Sequence, residues 1–179
     1  MIRKLLFLFV LFPITNFGQT KLTSAKYNYS FIIPDGWFAK DKIYNPNVDS
    51  KIVDGKGNSF IVAIQKFPTS TKLTATQLMS GYTNEELEEQ FNAVYGKTKV
   101  VKRGTVFVGL KEFYYIHLLT PFQDGYQLYH KQFLYCEGSK MLSLDACSIE
   151  TNLDETTPVF AIIIDTFKFN NLSNKAVKK

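Results

Sequence analysis

The segment Tyr29-Ser30-Phe31-Ile32-Ile33-Pro34-Asp35-Gly36-Trp37 constrains the fold more than any other part of the chain. Tyr29, Phe31 and Ile33 alternate onto one face of an extended strand, and Ser30 and Ile32 onto the other. Such a strand needs a sheet that buries at least one side. Pro34 cannot donate to a ladder and stops it. Asp35-Gly36 supplies turn chemistry, and the only tryptophan of the chain follows. Trp37 is expected to pin the next loop to the sheet. The segment places no acid, base or nucleophile for chemistry, so it speaks for architecture.

Strand-like alternation recurs along the chain. A first strand is predicted over Lys26–Ile33. Tyr44–Asp49 reads as a loop rich in Asn, Pro and Asp. Lys51–Val53 and Ser59–Phe67 read as strands joined by the turn residues Asp54-Gly55-Lys56-Gly57-Asn58, and Pro68 ends the second. Thr74–Tyr95 is the main helical region, weakened at Gly81. Thr83 followed three residues on by Glu86 is a capping-box pattern, so a second helix is expected to restart there. Leu87, Phe91, Val94 and Tyr95 form its core-facing stripe, and Gly96 is a natural stop. Lys99–Val108 and Lys111–Thr120 should pair about Gly109. Tyr126–Cys136 and Met141–Ile149 should form a hairpin turning at Gly138-Ser139. A last helix is expected with Pro158 as its first helical residue, and Val159–Phe167 is apolar almost all round, which would place it deep against the sheet. Its β-branched content leaves a strand as the alternative. The fold class is therefore α+β: a central antiparallel sheet flanked by helices, an α/β/α sandwich.

Of the 179 residues, 1–18 read as a signal peptide: Arg3 and Lys4, an apolar run from Leu5 to Phe12, a break at Pro13 and a small residue at Gly18. Residues 19–170 form one domain, and 171–179 are expected to be a disordered basic tail. The formal net charge is +5, but Arg3 and Lys4 belong to the leader and Lys175, Lys178 and Lys179 to the tail. The domain itself is close to neutral, so nucleic acid is not expected as a partner. No transmembrane span is expected in the mature chain. The protein is read as exported, periplasmic or secreted, and no cysteine near the cut offers a lipid anchor. The two cysteines should stay unbridged: the hairpin register sets Cys136 and Cys147 on one face but about 20 Å apart along it, at ~3.3 Å per residue.

The same register opposes His130 to Cys147 and Gln132 to Asp145. Cys147, His130 and Asp145 are thus the sharpest catalytic candidate, a thiol with a base and an orienter for a thiol-dependent hydrolase. As a polar sheet face they would be cross-strand partners only. The three could also be weighed as metal ligands, but structural zinc wants four. Asp49, Asp54 and Asn58 are the candidates to draw calcium, although Gln65 stands where a calcium loop carries its bidentate Glu, and a hairpin turn fits better. Tyr114, Tyr115, Tyr126, Tyr129 and Tyr135 crowd the late strands. Tyr129, Phe133 and Tyr135 share a face with Leu142 and Leu144 and are expected to fill core. Tyr114 is expected to be more open, one of the exposed aromatics through which a carbohydrate or peptide binder would act.

The strand ending Ile33-Pro34-Asp35-Gly36-Trp37 resembles the opening strand of PsbP-like domains. Three further features agree in order: a long helix after the second hairpin, a hairpin Lys131-Gln132-Phe133-Leu134-Tyr135 to Met141-Leu142-Ser143-Leu144 around Gly138, and a closing segment Ile164-Asp165-Thr166-Phe167-Lys168-Phe169. The resemblance, to the bacterial exported branch of a family that also holds Ran-binding Mog-type domains, covers about residues 26–169. It implies a sheet sandwiched by helices and a role in binding or assembly. It carries no catalytic motif, so no catalytic, cofactor-binding or metal residue is assigned and no cofactor is expected. The expected function is that of an exported, non-enzymatic module with a protein partner, an accessory or assembly factor of the envelope. The hydrolase and the carbohydrate or peptide binder are the alternatives.

Overall fold

A computed structural model describes residues 20–67 and 72–170. The expected signal peptide and basic tail lie outside the described residues, as does Pro68. The strands are β1 (Thr20–Ser24), β2 (Tyr29–Ile33), β3 (Phe38–Ala39), β4 (Val48–Val53), β5 (Ser59–Lys66), β6 (Lys99–Val108), β7 (Lys111–Pro121), β8 (Gln127–Glu137), β9 (Lys140–Ile149) and β10 (Lys168–Phe169). The helices are α1 (Ala75–Met79), α2 (Asn84–Tyr95) and α3 (Leu153–Thr166). Seven strands form one antiparallel sheet in the order β3-β4-β5-β9-β8-β7-β6, and β1-β2-β10 form a second, smaller one.

The large sheet has an apolar layer on each side. On one face Tyr29, Phe31 and Ile33 of β2, with Phe160 and Ile163 of α3 and Phe167 just after it, pack on Phe60, Val62, Leu144 and Phe113. Phe31 stacks on Phe167 and meets Phe60 edge-on, at centroid distances of 6.3 and 5.4 Å. On the other face Ala75 and Leu87 cover Val100, Tyr114, Ile116, Leu118 and Leu134. The result is the expected α/β/α sandwich, with the small sheet sharing the α3 layer.

The turn after β2 forms as its residues require. Trp37 N–H donates to the Pro34 carbonyl at 3.1 Å, and Gly36 takes φ +79°, a left-handed value that glycine adopts freely. Trp37 packs edge-on against Phe160 at 5.6 Å and against the core cluster that α3 shares with the sheets, so it ties the loop to that layer. Gly81 does divide the helical region. The Thr83–Glu86 capping box forms, Thr83 Oγ1 accepting from Glu86 N–H at 3.2 Å while Glu86 Oε2 accepts from Thr83 N–H at 2.7 Å. A second box, Thr74 with Gln77, starts α1.

Four expectations need correction. The first strand begins at Tyr29: Lys26–Asn28 is the turn of a β1–β2 hairpin, with Asn28 at φ 55°. Pro158 lies inside α3, because a 3-10 turn over Glu150–Asn152 leads the chain into the helix five residues earlier. Thr156 Oγ1 donates to the Asn152 carbonyl at 2.9 Å and anchors that first turn. Helix α3 is not deep all round; one stripe of Thr156, Phe160 and Ile163 is buried, while Ile162 is 45% exposed. A helix laid on a sheet can bury only the stripe that meets it. Val94, expected in the α2 stripe, is exposed for the same reason.

Candidate functional site

The hairpin of β8 and β9 has the register its turn implied: His130 opposes Cys147, Gln132 opposes Asp145, and Cys136 opposes Met141. The catalytic candidates therefore do converge, on the sheet face that carries α1 and α2. His130 Nδ1 lies 3.2 and 3.3 Å from the two carboxylate oxygens of Asp145. Its Nε2 lies 3.2 Å from Thr120 Oγ1 and 3.9 Å from Cys147 Sγ. Tyr95, the last residue of α2, closes over the imidazole with ring centroids 5.0 Å apart, and Gln132 Nε2 donates to its hydroxyl at 3.3 Å.

The electrostatics of this group follow from burial and one carboxylate. Burial opposes charge on His130, yet the hydrogen bonds and charge of Asp145, aided by Cys147, raise its pKa to about 10. The imidazolium then donates Nδ1–H to Asp145 and Nε2–H to Thr120. Burial, with the Asp145 charge, lifts the Tyr95 phenol to about 12. His130, Asp145 and Cys147 are only 4, 8 and 7% exposed, and they line neither the cleft at Tyr135 and Phe169 nor the one at Leu22 and Ile43. Thr120 holds the Nε2 edge more closely than the thiol does. The arrangement makes a satisfied polar network under an aromatic lid. No group of three His, Cys, Asp or Glu side chains among the described residues has metal-holding geometry. Cys136 and Cys147 are free thiols.

The calcium candidates are occupied by the turn they belong to. Asp54 Oδ1 accepts from Lys56 and Asn58 N–H at 2.7 and 3.2 Å, and its Oδ2 accepts from Asn58 Nδ2 at 2.6 Å. Asn58 is buried and accepts from Ser148 Oγ and Ile149 N–H. Asp49 is separate: it accepts from the Tyr29 hydroxyl at 2.6 Å.

The tyrosines divide by strand parity. Tyr114 is buried at 4% beneath α1 and α2, against the expectation that it is open, because it shares a parity with Ile116 and Leu118 on the covered face. Tyr115 and Tyr129 flank His117 in a half-buried ladder on the opposite face, with centroid separations of 5.2 and 5.5 Å. Burial and the nearby Lys131 and Lys102 lower the His117 pKa to about 4. Phe133 and Tyr135 pack on the core as expected, and Tyr126 is 52% exposed.

Sequence reasoning missed an open cleft of about 390 Å³ at the end of the sandwich, between the β1–β2 turn and the β8–β9 hairpin. Lys26, Tyr27, Lys111, Tyr135, Lys140 and Phe169 are among the residues that line it. The lysines come from a turn, from the start of β7 and from the start of β9, so no local motif unites them. Part of the signal was present, since the Gly138-Ser139 turn already set Lys140 opposite Glu137.

No family model matches the sequence, and no curated protein matches it. The chain is similar in structure to the cyanobacterial PsbP protein, CyanoP, of Synechocystis sp. PCC 6803, with a TM-score of 0.63 and 18% identity, over 84% of this chain and 92% of that one. It is also similar to a protein of Bacteroides thetaiotaomicron VPI-5482, with a TM-score of 0.52 and 12% identity, over 86% of this chain and 49% of the other. At these identities what is shared is the fold, and the antiparallel sheet between α1–α2 and α3 is that of a PsbP-like domain.

Proposed function

We propose that the chain is an exported, non-enzymatic PsbP-like module that works by binding a protein partner, as an accessory or assembly factor of the cell envelope. One observation carries the reading: the only converging Cys, His and Asp side chains among the described residues are closed under Tyr95 and bonded to one another, while the open cleft lies on the opposite face. A thiol hydrolase would need its nucleophile reachable beside a substrate cleft. The PsbP-like fold fits the proposal, since the family that the sequence resembles consists mostly of binding and assembly modules. Export rests on the leader-like first 18 residues. No helix among the described residues is long and apolar enough to cross a membrane.

The test is an affinity capture from the native envelope fraction, using the mature protein as bait and excess untagged protein as competitor. A competed, stoichiometric partner is the expected result; finding none would overturn the partner reading. Iodoacetamide labelling of the folded protein near neutral pH separates the enzyme alternative. Cys147 should react slowly, and fast, selective modification there would favour the hydrolase.

A further inference from the structure

A row of charges crosses four strands beside the cleft. Lys66 of β5 stands directly opposite Lys140 of β9, and Lys140 stands opposite Glu137 of β8. Glu137 in turn meets Lys111 of β7, with Nζ and Oε1 3.8 Å apart. Residues directly opposite in a sheet share a face, so three lysines and one glutamate lie side by side. Like charges opposed in an antiparallel pair are destabilising, and the one acid in the row, Glu137, stands between Lys140 and Lys111 and not beside Lys66.

Lys26 adds a fourth cation from the facing turn. Its Nζ lies 4.8 Å from the centre of the Tyr27 ring, and Lys140 Nζ lies 5.8 Å from the same ring. The two ammonium groups are therefore held within roughly a Debye length, about 10 Å at 0.1 M salt. Among the described residues no carboxylate stands within ion-pair distance of Lys26, Lys66 or Lys140; Glu137 is engaged with Lys111. The floor below them is apolar. Ile64 and Leu142 are 5 and 7% exposed, and Phe169 packs against Tyr135 with centroids 5.4 Å apart. A volume of about 390 Å³ lies within the range of small-ligand sites, ~300–1,000 Å³.

We propose that this cleft binds a small amphipathic anion, a carboxylate carried on an aryl or branched apolar body. The carboxylate meets Lys26 and Lys140, and the body lies over Leu142, Phe169 and the Tyr135 ring. The inference goes beyond the partner reading and does not depend on it. A free aryl-alkanoic acid and the C-terminal residue of a peptide present the same chemistry, so the experiment includes both.

The test is an NMR titration of the full mature chain with 3-phenylpropionate, with its neutral isostere 3-phenylpropionamide, and with an acetylated tetrapeptide that ends in Phe. The acid should give saturable shifts clustered at Tyr27, Tyr135, Leu142 and Phe169. The amide should bind at least about tenfold more weakly, since it cannot form charge-assisted bonds. A Lys26→Gln/Lys140→Gln double variant, altered only at exposed positions, should lose about as much affinity for the acid while keeping its folded spectrum. Tighter binding of the peptide assigns the site to a chain terminus, and tighter binding of the free acid assigns it to a small molecule; either supports the proposal. Equal affinity for acid and amide, an unchanged double variant, or no saturation by acid or peptide up to about 10 mM overturns it.

Discussion

The two faces of the large sheet each carry a cluster of charged side chains, and the clusters are built on opposite principles. Around His130 each group answers another: Asp145 holds Nδ1, Thr120 holds Nε2, Tyr95 closes the top, and Gln132 holds Tyr95. Around the cleft the lysines outnumber the acids, and two of them face each other directly. Burial explains the first arrangement. An unpaired charge under α2 would cost several kcal/mol, so the site tolerates ionised groups only as a closed network. Solvent permits the second, since exposed like charges are screened and their repulsion is a fraction of a kcal/mol up to about 1. Closure on one face and residual charge on the other separate a group that serves the fold from a group available to a ligand.

Breaking the closed cluster should have the largest effect. Asp145→Ala leaves His130 buried without its carboxylate and should destabilise the domain by about 3–5 kcal/mol. Urea unfolding would show this as a lower midpoint at an unchanged slope. A loss below about 1 kcal/mol would mean that the network is not closed as described.

The two histidines sharpen the contrast through pH. His130 has its folded pKa raised from 6.5 to about 10, so its contribution is fully present below pH 6.5 and is lost as pH rises through about 10. His117 is lowered from 6.5 to about 4, so its folded form binds fewer protons than the unfolded chain does. Its contribution is present above pH 6.5 and is lost as pH falls toward about 4. Imidazole NMR titration should therefore find one ring charged and one neutral at pH 7. Two ordinary titrations near 6.5 would contradict both environments.

A change in the scaffold should touch neither cluster. Trp37 is half-buried against Phe160, so Trp37→Ala should cost about 2 kcal/mol, less than the 3–5 of a fully buried aromatic. The His130 titration and the affinity of the cleft for 3-phenylpropionate should be unchanged. A shift in either would show that the α3 layer is coupled to the sites.

What could be read from sequence follows the reach of each signal. A two-residue turn fixes the register of the strands it joins, so Gly138-Ser139 was enough to set His130 against Cys147 and Gln132 against Asp145. Thr83 and Glu86 carry their own capping geometry, and α2 begins there. The neighbours of a strand across a sheet are not local information. That β5 lies beside β9, bringing Lys66 to Lys140, depends on contacts between segments far apart in the chain. The closed cluster was legible because one hairpin builds most of it, and the cleft was hidden because it gathers residues from several segments. Tyr114 shows a subtler limit. Alternation groups it with Ile116 and Leu118, but its burial depends on where α1 and α2 settle. Strand β1 was missed because Thr-Lys-Leu-Thr-Ser is a polar edge with one half-buried apolar residue.

The smallest predicted effect has the opposite sign from the rest. Lys66→Glu replaces a directly opposed like pair with an opposite pair, next to Lys140. Cross-strand pairs of this kind contribute about 0.2–1 kcal/mol, so the variant should be slightly more stable than the natural chain at low salt. The gain should shrink as salt is added, because both side chains are exposed and their interaction is screened. Thermal unfolding at low and high ionic strength would measure it. The same variant sets a carboxylate directly opposite Lys140, which lines the cleft, and should weaken 3-phenylpropionate there. Greater stability with weaker binding would show that the lysine row is kept for a ligand at the expense of the fold. Unchanged stability with unchanged binding would remove the distinction between the two faces.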